Sequence, residues 1–276
     1  MTGMAADPWV QAHLHGTSSA SGSVSALILA VPFLAAAVMY VAAMASSRRR
    51  GRTWPWHRAA FWVAGVAAAA AGFVGPLATT AHMSFTAHMG THLLVGMVAP
   101  LLLVLGAPVT LALRALDVGP ARRVSWMLRS PVARVLTTPI VAAALNVGGM
   151  WVLYLTPLYD VMRDIMLVHW LVMLHFLLAG YLYTVSLAAV DPSPHKSGFA
   201  ARASVLVLSL AAHGVLAKLL YAYPPSGVNA ADAHAGAQLM FYGGDAVDFV
   251  LIVLLCAEWY RATGRRRQTA PAAASL

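Results

Sequence analysis

One cysteine stands in 276 residues, which excludes a disulfide framework and any CxxC metal or redox motif. Charge is nearly as scarce. Asp, Glu, Lys and Arg together make 10% of the chain against 60% hydrophobic residues, and the mean hydropathy is +0.73. That is too little polar surface to cover a soluble globule, so the chain reads as an integral membrane protein. HExxH, GxSxG, P-loop and Rossmann glycine patterns are all missing, and with them the usual soluble-enzyme chemistries. The last apolar run also lacks the lysine that a retinal-type receptor would carry. A net charge of +9 and a pI near 10.2 would suit a nucleic-acid partner. The basic residues, however, fall in short clusters between apolar runs, as topology signals do, and no nucleic-acid partner is expected.

What the chain does contain is seven apolar runs, each close to the ~20 residues that cross a hydrocarbon core. They are Val24 to Ala45, Ala59 to Leu77, Ala87 to Leu111, Val135 to Leu155, Met166 to Val190, Ala203 to Tyr221 and Ala237 to Tyr260. The expectation is an all-α bundle of seven transmembrane helices forming one domain over residues 24–261. Residues 1–23 would be an extracytoplasmic segment and residues 262–276 a disordered cytoplasmic tail. Alternate connections carry Arg48, Arg49, Arg50, Arg52 and Arg58; Arg114, Arg122, Arg123, Arg129 and Arg134; Lys196 and Arg202; and Arg261, Arg265, Arg266 and Arg267. These are 16 of the 18 basic residues, which puts the N-terminus outside and the C-terminus in the cytoplasm. Pro100 and Pro108 are expected to kink the third helix, and Pro139 to sit in the first turns of the fourth.

This topology gives the histidines a pattern. Nine of eleven fall in outer loops or outer helix halves, leaving only His57 and His195 inside. At ~1.5 Å rise per residue, His88 and His169 form an upper tier close to His82 and His234. His92, His175, His213, Asp245 and Asp248 lie deeper and form a lower tier. His88 and His92 are at i and i+4, so one helix face presents both imidazoles, with Met89 beside them. Met166, His169 and Met173 share a face of the fifth helix, and Met83 follows His82.

Imidazole with thioether suits Cu(I). A methionine stripe equally suits core packing, and histidines near a helix end equally suit interfacial hydrogen bonds. Asp245 and Asp248, at i and i+3, are functional candidates by their depth alone. They also admit a structural role, with Lys218 neutralising Asp245 and His213 bonding Asp248. Two other chemistries fit the same residues. One is an intramembrane zinc hydrolase in which three imidazoles hold the metal and Asp248 acts on bound water. The other is a b-type cytochrome with bis-histidine haem ligation, His92 with His175.

The run His88-Met89-Gly90-Thr91-His92-Leu93-Leu94, with Met97-Val98-Ala99-Pro100 and Leu105-Gly106-Ala107-Pro108 leading to Arg114, resembles the signature of the CtaG family of cytochrome c oxidase assembly factors. His169, His175 and Gly180, the Asp191-Pro192 pair, and the segment Ala235 to Gly244 match further, so the resemblance spans roughly Phe73 to Tyr260. It implies a bacterial multi-pass plasma-membrane protein without catalytic turnover that matures a caa(3)-type haem-copper oxidase by handling copper. The partners it implies are oxidase subunits, membrane lipid and an extracytoplasmic copper chaperone. On this reading His88, His92, His169 and Met89 capture Cu(I), His82 and His234 are mobile ligands at the mouth, and His175, His213, Asp245 and Asp248 form or tune a deeper site. The chain departs from the family pattern around Asp232 to His234, where a Gln-rich sequence is expected.

Overall fold

The computed structural model describes the backbone of residues 8–269 except Ala189 and Ser193, and the side chains between residues 27 and 264. Every regular element among them is helical: α1 Pro8–Arg49, α2 Trp56–Phe73, α3 Pro76–Thr80, α4 Phe85–Leu93, α5 Ala99–Leu105, α6 Pro108–Ala115, α7 Val118–Leu128, α8 Pro131–Leu136, α9 Pro139–Ala143, α10 Gly149–Leu155, α11 Leu158–Asp164, α12 Met166–Leu187, α13 Phe199–Ala222 and α14 Ala230–Thr269. Single π-helical turns join α4 to α5 (Leu94–Val98) and α9 to α10 (Ala144–Gly148). Six helical stretches are long and apolar enough to cross a membrane. A seventh crossing is made only if Pro139–Leu155 and Leu158–Asp164, bent by 81° at their junction, count as one span.

Several boundaries differ from the sequence expectation. The first helix starts at Pro8, well before the apolar run at Val24, and its membrane-length part is Leu27–Arg49. α14 starts at Ala230 and continues through residues 262–269, which were expected to be a disordered tail, while 270–276 lie outside the described residues. Helical hydrogen bonding is local, so a helix can carry on past the end of an apolar run, and the single glycines met on the way, Gly16, Gly22 and Gly264, do not stop it. Cys256, the single cysteine, is exposed on α14.

The prolines explain the broken third helix. Pro100 has no N–H, so the carbonyl of Gly96 loses its i+4 donor, and the backbone widens into the π turn over Leu94–Val98. α12 comes in at that exposed carbonyl, so close that a Cβ on Gly180 would lie 2.1 Å from the Gly96 oxygen. Small residues permit such backbone approach between membrane helices. Pro108 ends the next segment: the chain turns through Ala107, at φ 50°, and restarts as α6. Asp191 accepts from the amides of Val109 and Thr110 and from the Thr110 hydroxyl, which satisfies the exposed N-terminus of α6. Pro139 opens α9 at its first turn, as expected.

α14 packs on α4 and α13, and α12 packs on α5 and the π turn before it. At the arginine-rich end, buried Arg202 on α13 grips both carboxylate oxygens of Glu258 on α14 at 2.8 and 2.9 Å and donates to the Leu187 carbonyl. Lys196 closes on the same carboxylate. The packing therefore brings the starts of α4, α12 and α14 to one end of the bundle, opposite the arginine-rich connections.

Candidate functional site

At that end lies a cavity of about 210 Å³. Its wall includes His82, His88 and His169 together with Tyr159, Met162 and Arg163. His82 comes from the loop after α3, His88 from α4 and His169 from α12. The His82 and His169 rings are 4.6 Å apart between centroids. Met83, next to His82 in the wall, is 90% exposed, so a thioether stands at the mouth.

The mouth is held by Asp232 at the start of α14. Its carboxylate accepts from the amides of Phe85 (2.6 Å) and Thr86 (3.1 Å) and from the Ser84 hydroxyl (3.0 Å). The Thr86 hydroxyl donates back to the Asp232 carbonyl. The first amides of a helix have no partner within it, and an acid there also meets the positive end of the helix dipole. Asp232 therefore fixes α4, and with it His88 and His92, against α14. This is the chemistry that stands where the sequence departs from the family pattern.

Beneath the cavity side chains of α4 meet side chains of α10 at two levels. His88 Nε2 is 3.0 Å from the Tyr154 hydroxyl, and that hydroxyl is 3.7 Å from Met89 Sδ. One turn deeper His92 Nε2 is 2.9 Å from Met150 Sδ, with Phe176 standing edge-on to the imidazole. His88, Met89, His92 and Met150 are all buried. The pair at i and i+4 on α4 thus faces a pair at i and i+4 on α10.

The other expected site residues are placed elsewhere. His234 stacks on Tyr221 of α13 at 4.2 Å and is not in the cavity wall. His175 bonds the carbonyl of Leu145, in the π turn before α10, and Phe176 packs against both its ring and that of His92. His213 and Asp248 are buried, and the His213 ring fits against Gly244, where a Cβ would lie 2.1 Å from it. The Nε2 of His213 has no hydrogen-bond partner. Asp245 does not share Asp248's burial; it is exposed on α14. Lys218 lies over the Phe241 ring, 5.4 Å from its centroid. Met166 is half exposed while Met173 is buried, so the methionine stripe of α12 is divided between surface and core.

Among the described residues no three His, Cys, Asp or Glu side chains converge as a metal-holding group. What the arrangement offers instead is imidazoles alternating with thioethers, from Met83 and His82 at the mouth, through His88 and Met89, to His92 with Met150. Sequence reasoning missed Met150, Tyr154, Tyr159 and Met162. For Met150 and Tyr154 a signal existed, namely their own i, i+4 spacing.

No solved structure matches this chain. Two relatives are uncharacterized proteins of Mycobacterium leprae, 31% identical over 80% of this chain, and Mycobacterium bovis, 31% identical over 82%. The chain spans 37% of the length of each. The family model for the cytochrome c oxidase caa3 assembly factor (Caa3_CtaG) matches residues 38–262. It takes in the helices around the cavity, the Asp232 cap and the Arg202–Glu258 pair, and by that match the chain belongs to the caa3 cytochrome c oxidase assembly factor family.

Proposed function

We propose that this protein receives Cu(I) at the extracytoplasmic mouth of the bundle and hands it to a nascent oxidase subunit. Copper here is cargo rather than a resident cofactor. The observation that supports the reading is the cavity whose wall holds His82, His88 and His169, from three different segments, with the His82 and His169 rings 4.6 Å apart and the exposed thioether of Met83 beside them. Imidazole and thioether donors favour Cu(I), whereas a structural zinc site asks for four firm ligands. A transfer site also has to release its ion, and a two-donor grip from a loop residue and a helix residue, His82 with His169, is suited to that. The deeper His92–Met150 contact offers one more soft donor pair below the mouth. The family supports the assembly role and an interaction with the oxidase; delivery of the metal is the added step.

The test is Cu(I) content of the protein purified under reducing conditions, alongside His82→Ala/His169→Ala. About one copper per chain, lost in the double variant while the protein stays inserted and abundant, supports delivery. A metal-free wild-type protein, or a variant that retains copper, overturns it. An equivalent of zinc or a haem Soret band would replace the reading with a hydrolase or a cytochrome.

A further inference from the structure

A second cavity, of about 480 Å³, lies at the arginine-rich end of the bundle. Leu128, Val132 and Leu136 from α7 and α8 face Leu182 and Val185 of α12 across it, and Trp126 stands at its edge, 74% exposed. α7 has no buried residue. It carries Arg122 and Arg123 beside exposed Trp126 and Met127, and it follows directly on the end of a membrane-length stretch at Ala115. A basic amphipathic helix in that position belongs in the plane of the membrane interface. The cavity therefore opens where lipid headgroups meet acyl chains.

The charge around it is one-sided. Asp117 pairs with Arg50, and Glu258 pairs with Arg202 and Lys196. Asp191, the acid in the cavity wall, is committed to the α6 amides and the Thr110 hydroxyl. Arg129 sits between the wall residues Leu128 and Ser130, and Arg134 follows the wall residue Ala133. Neither has a carboxylate partner among the described residues, and both are exposed. Arg134 Nε donates to His195 Nδ1 at 3.4 Å. With Nδ1 accepting, the neutral imidazole carries its proton on Nε2. That Nε2 is buried and has no partner. Two exposed arginines, each next in sequence to wall residues, thus stand at an apolar slot without a free acid to answer them.

We propose that this cavity is a binding site for an anionic diacyl phospholipid. An acyl chain lies between α8 and α12, and the phosphate is held by Arg129 and Arg134. A zwitterionic headgroup would bring its ammonium into a cluster with no acid to receive it. Free phosphate would leave the apolar walls unfilled.

The experiment is native mass spectrometry of the full chain, delipidated in detergent and titrated with dioleoyl phosphatidylglycerol or dioleoyl phosphatidylcholine. The wild-type protein should bind phosphatidylglycerol about tenfold or more tightly than phosphatidylcholine, since each basic residue near the headgroup adds to the attraction. Arg129→Gln/Arg134→Gln should erase that preference, and Ala133→Trp, which fills the slot, should weaken both lipids. Thermal unfolding of each variant checks that it is folded. Should a variant not fold, the wild-type comparison of the two lipids decides alone. Equal binding of the two lipids by the wild-type protein overturns the proposal, and so does a preference unchanged in the arginine variant. Displacement of phosphatidylglycerol by inorganic phosphate alone would show a simple anion site and overturn it as well.

Discussion

His92 on α4 and Met150 on α10 meet through Nε2 and Sδ at 2.9 Å, one turn below the bond between His88 and the Tyr154 hydroxyl. Two i, i+4 pairs on neighbouring helices therefore interlock, and both histidines are buried with a specific partner. Removing a partner differs from removing the histidine. Met150→Leu keeps the volume and takes away the thioether, and volume-conserving swaps of this kind cost under about 1.5 kcal/mol. The expected outcome is a stably inserted protein that holds less Cu(I), read by metal analysis and by loss of sulfur scattering in X-ray absorption.

His88→Ala and His92→Ala are expected to abolish oxidase maturation while leaving the protein inserted and abundant. Oxidase activity in membranes, normalised to the amount of this protein, reads the effect. Wild-type activity in both variants would leave the two imidazoles with a packing role only.

The Asp232 cap should be worth about 1 kcal/mol, within the range measured for side chains that close a helix N-terminus. Asp232→Ala frees the amides of Phe85 and Thr86 and the Ser84 hydroxyl together. A lower melting temperature in detergent, with weaker Cu(I) retention because α4 is no longer fixed against α14, is the expected result. Asp232→Asn, which keeps a side-chain acceptor, should recover most of the stability.

Gly180→Ala puts a methyl group onto the carbonyl of Gly96, where the gap is 2.1 Å. Overpacking of this kind costs about 1–3 kcal/mol. α12 carries His169, so the variant should lower protein abundance in the membrane and disturb the cavity as well. Immunoblotting of membrane fractions and copper content per chain separate the two effects.

Breaking the Arg202–Glu258 pair leaves a buried guanidinium unanswered and should cost about 3 kcal/mol, reduced from the fully buried case because Glu258 is partly exposed. Glu258→Gln is expected to lower the melting temperature sharply, and Arg202→Met/Glu258→Leu to recover much of it. Metal binding at the opposite end should be unchanged in any variant that folds.

The sequence by itself determined the environment and most of the apolar helices, because twenty or so apolar residues in a row have no other stable place than lipid. It also singled out His88 and His92, since helical spacing alone puts them on one face, and the prolines that break the third helix, since a missing N–H acts locally. It pointed as well to the family, through motifs around those same residues. Tertiary structure decided what periodicity does not encode: which helix faces which. Asp245 and Asp248 share a spacing, yet the packing of α13 and α14 buries one and exposes the other. His234 and Asp232 are two residues apart, yet one stacks on Tyr221 while the other caps α4. The 81° bend before α11 brings Tyr159, Met162 and Arg163 into the cavity from a segment with no histidine to mark it. Such placements depend on contacts between residues far apart in the chain, and those form only when the helices have found their neighbours.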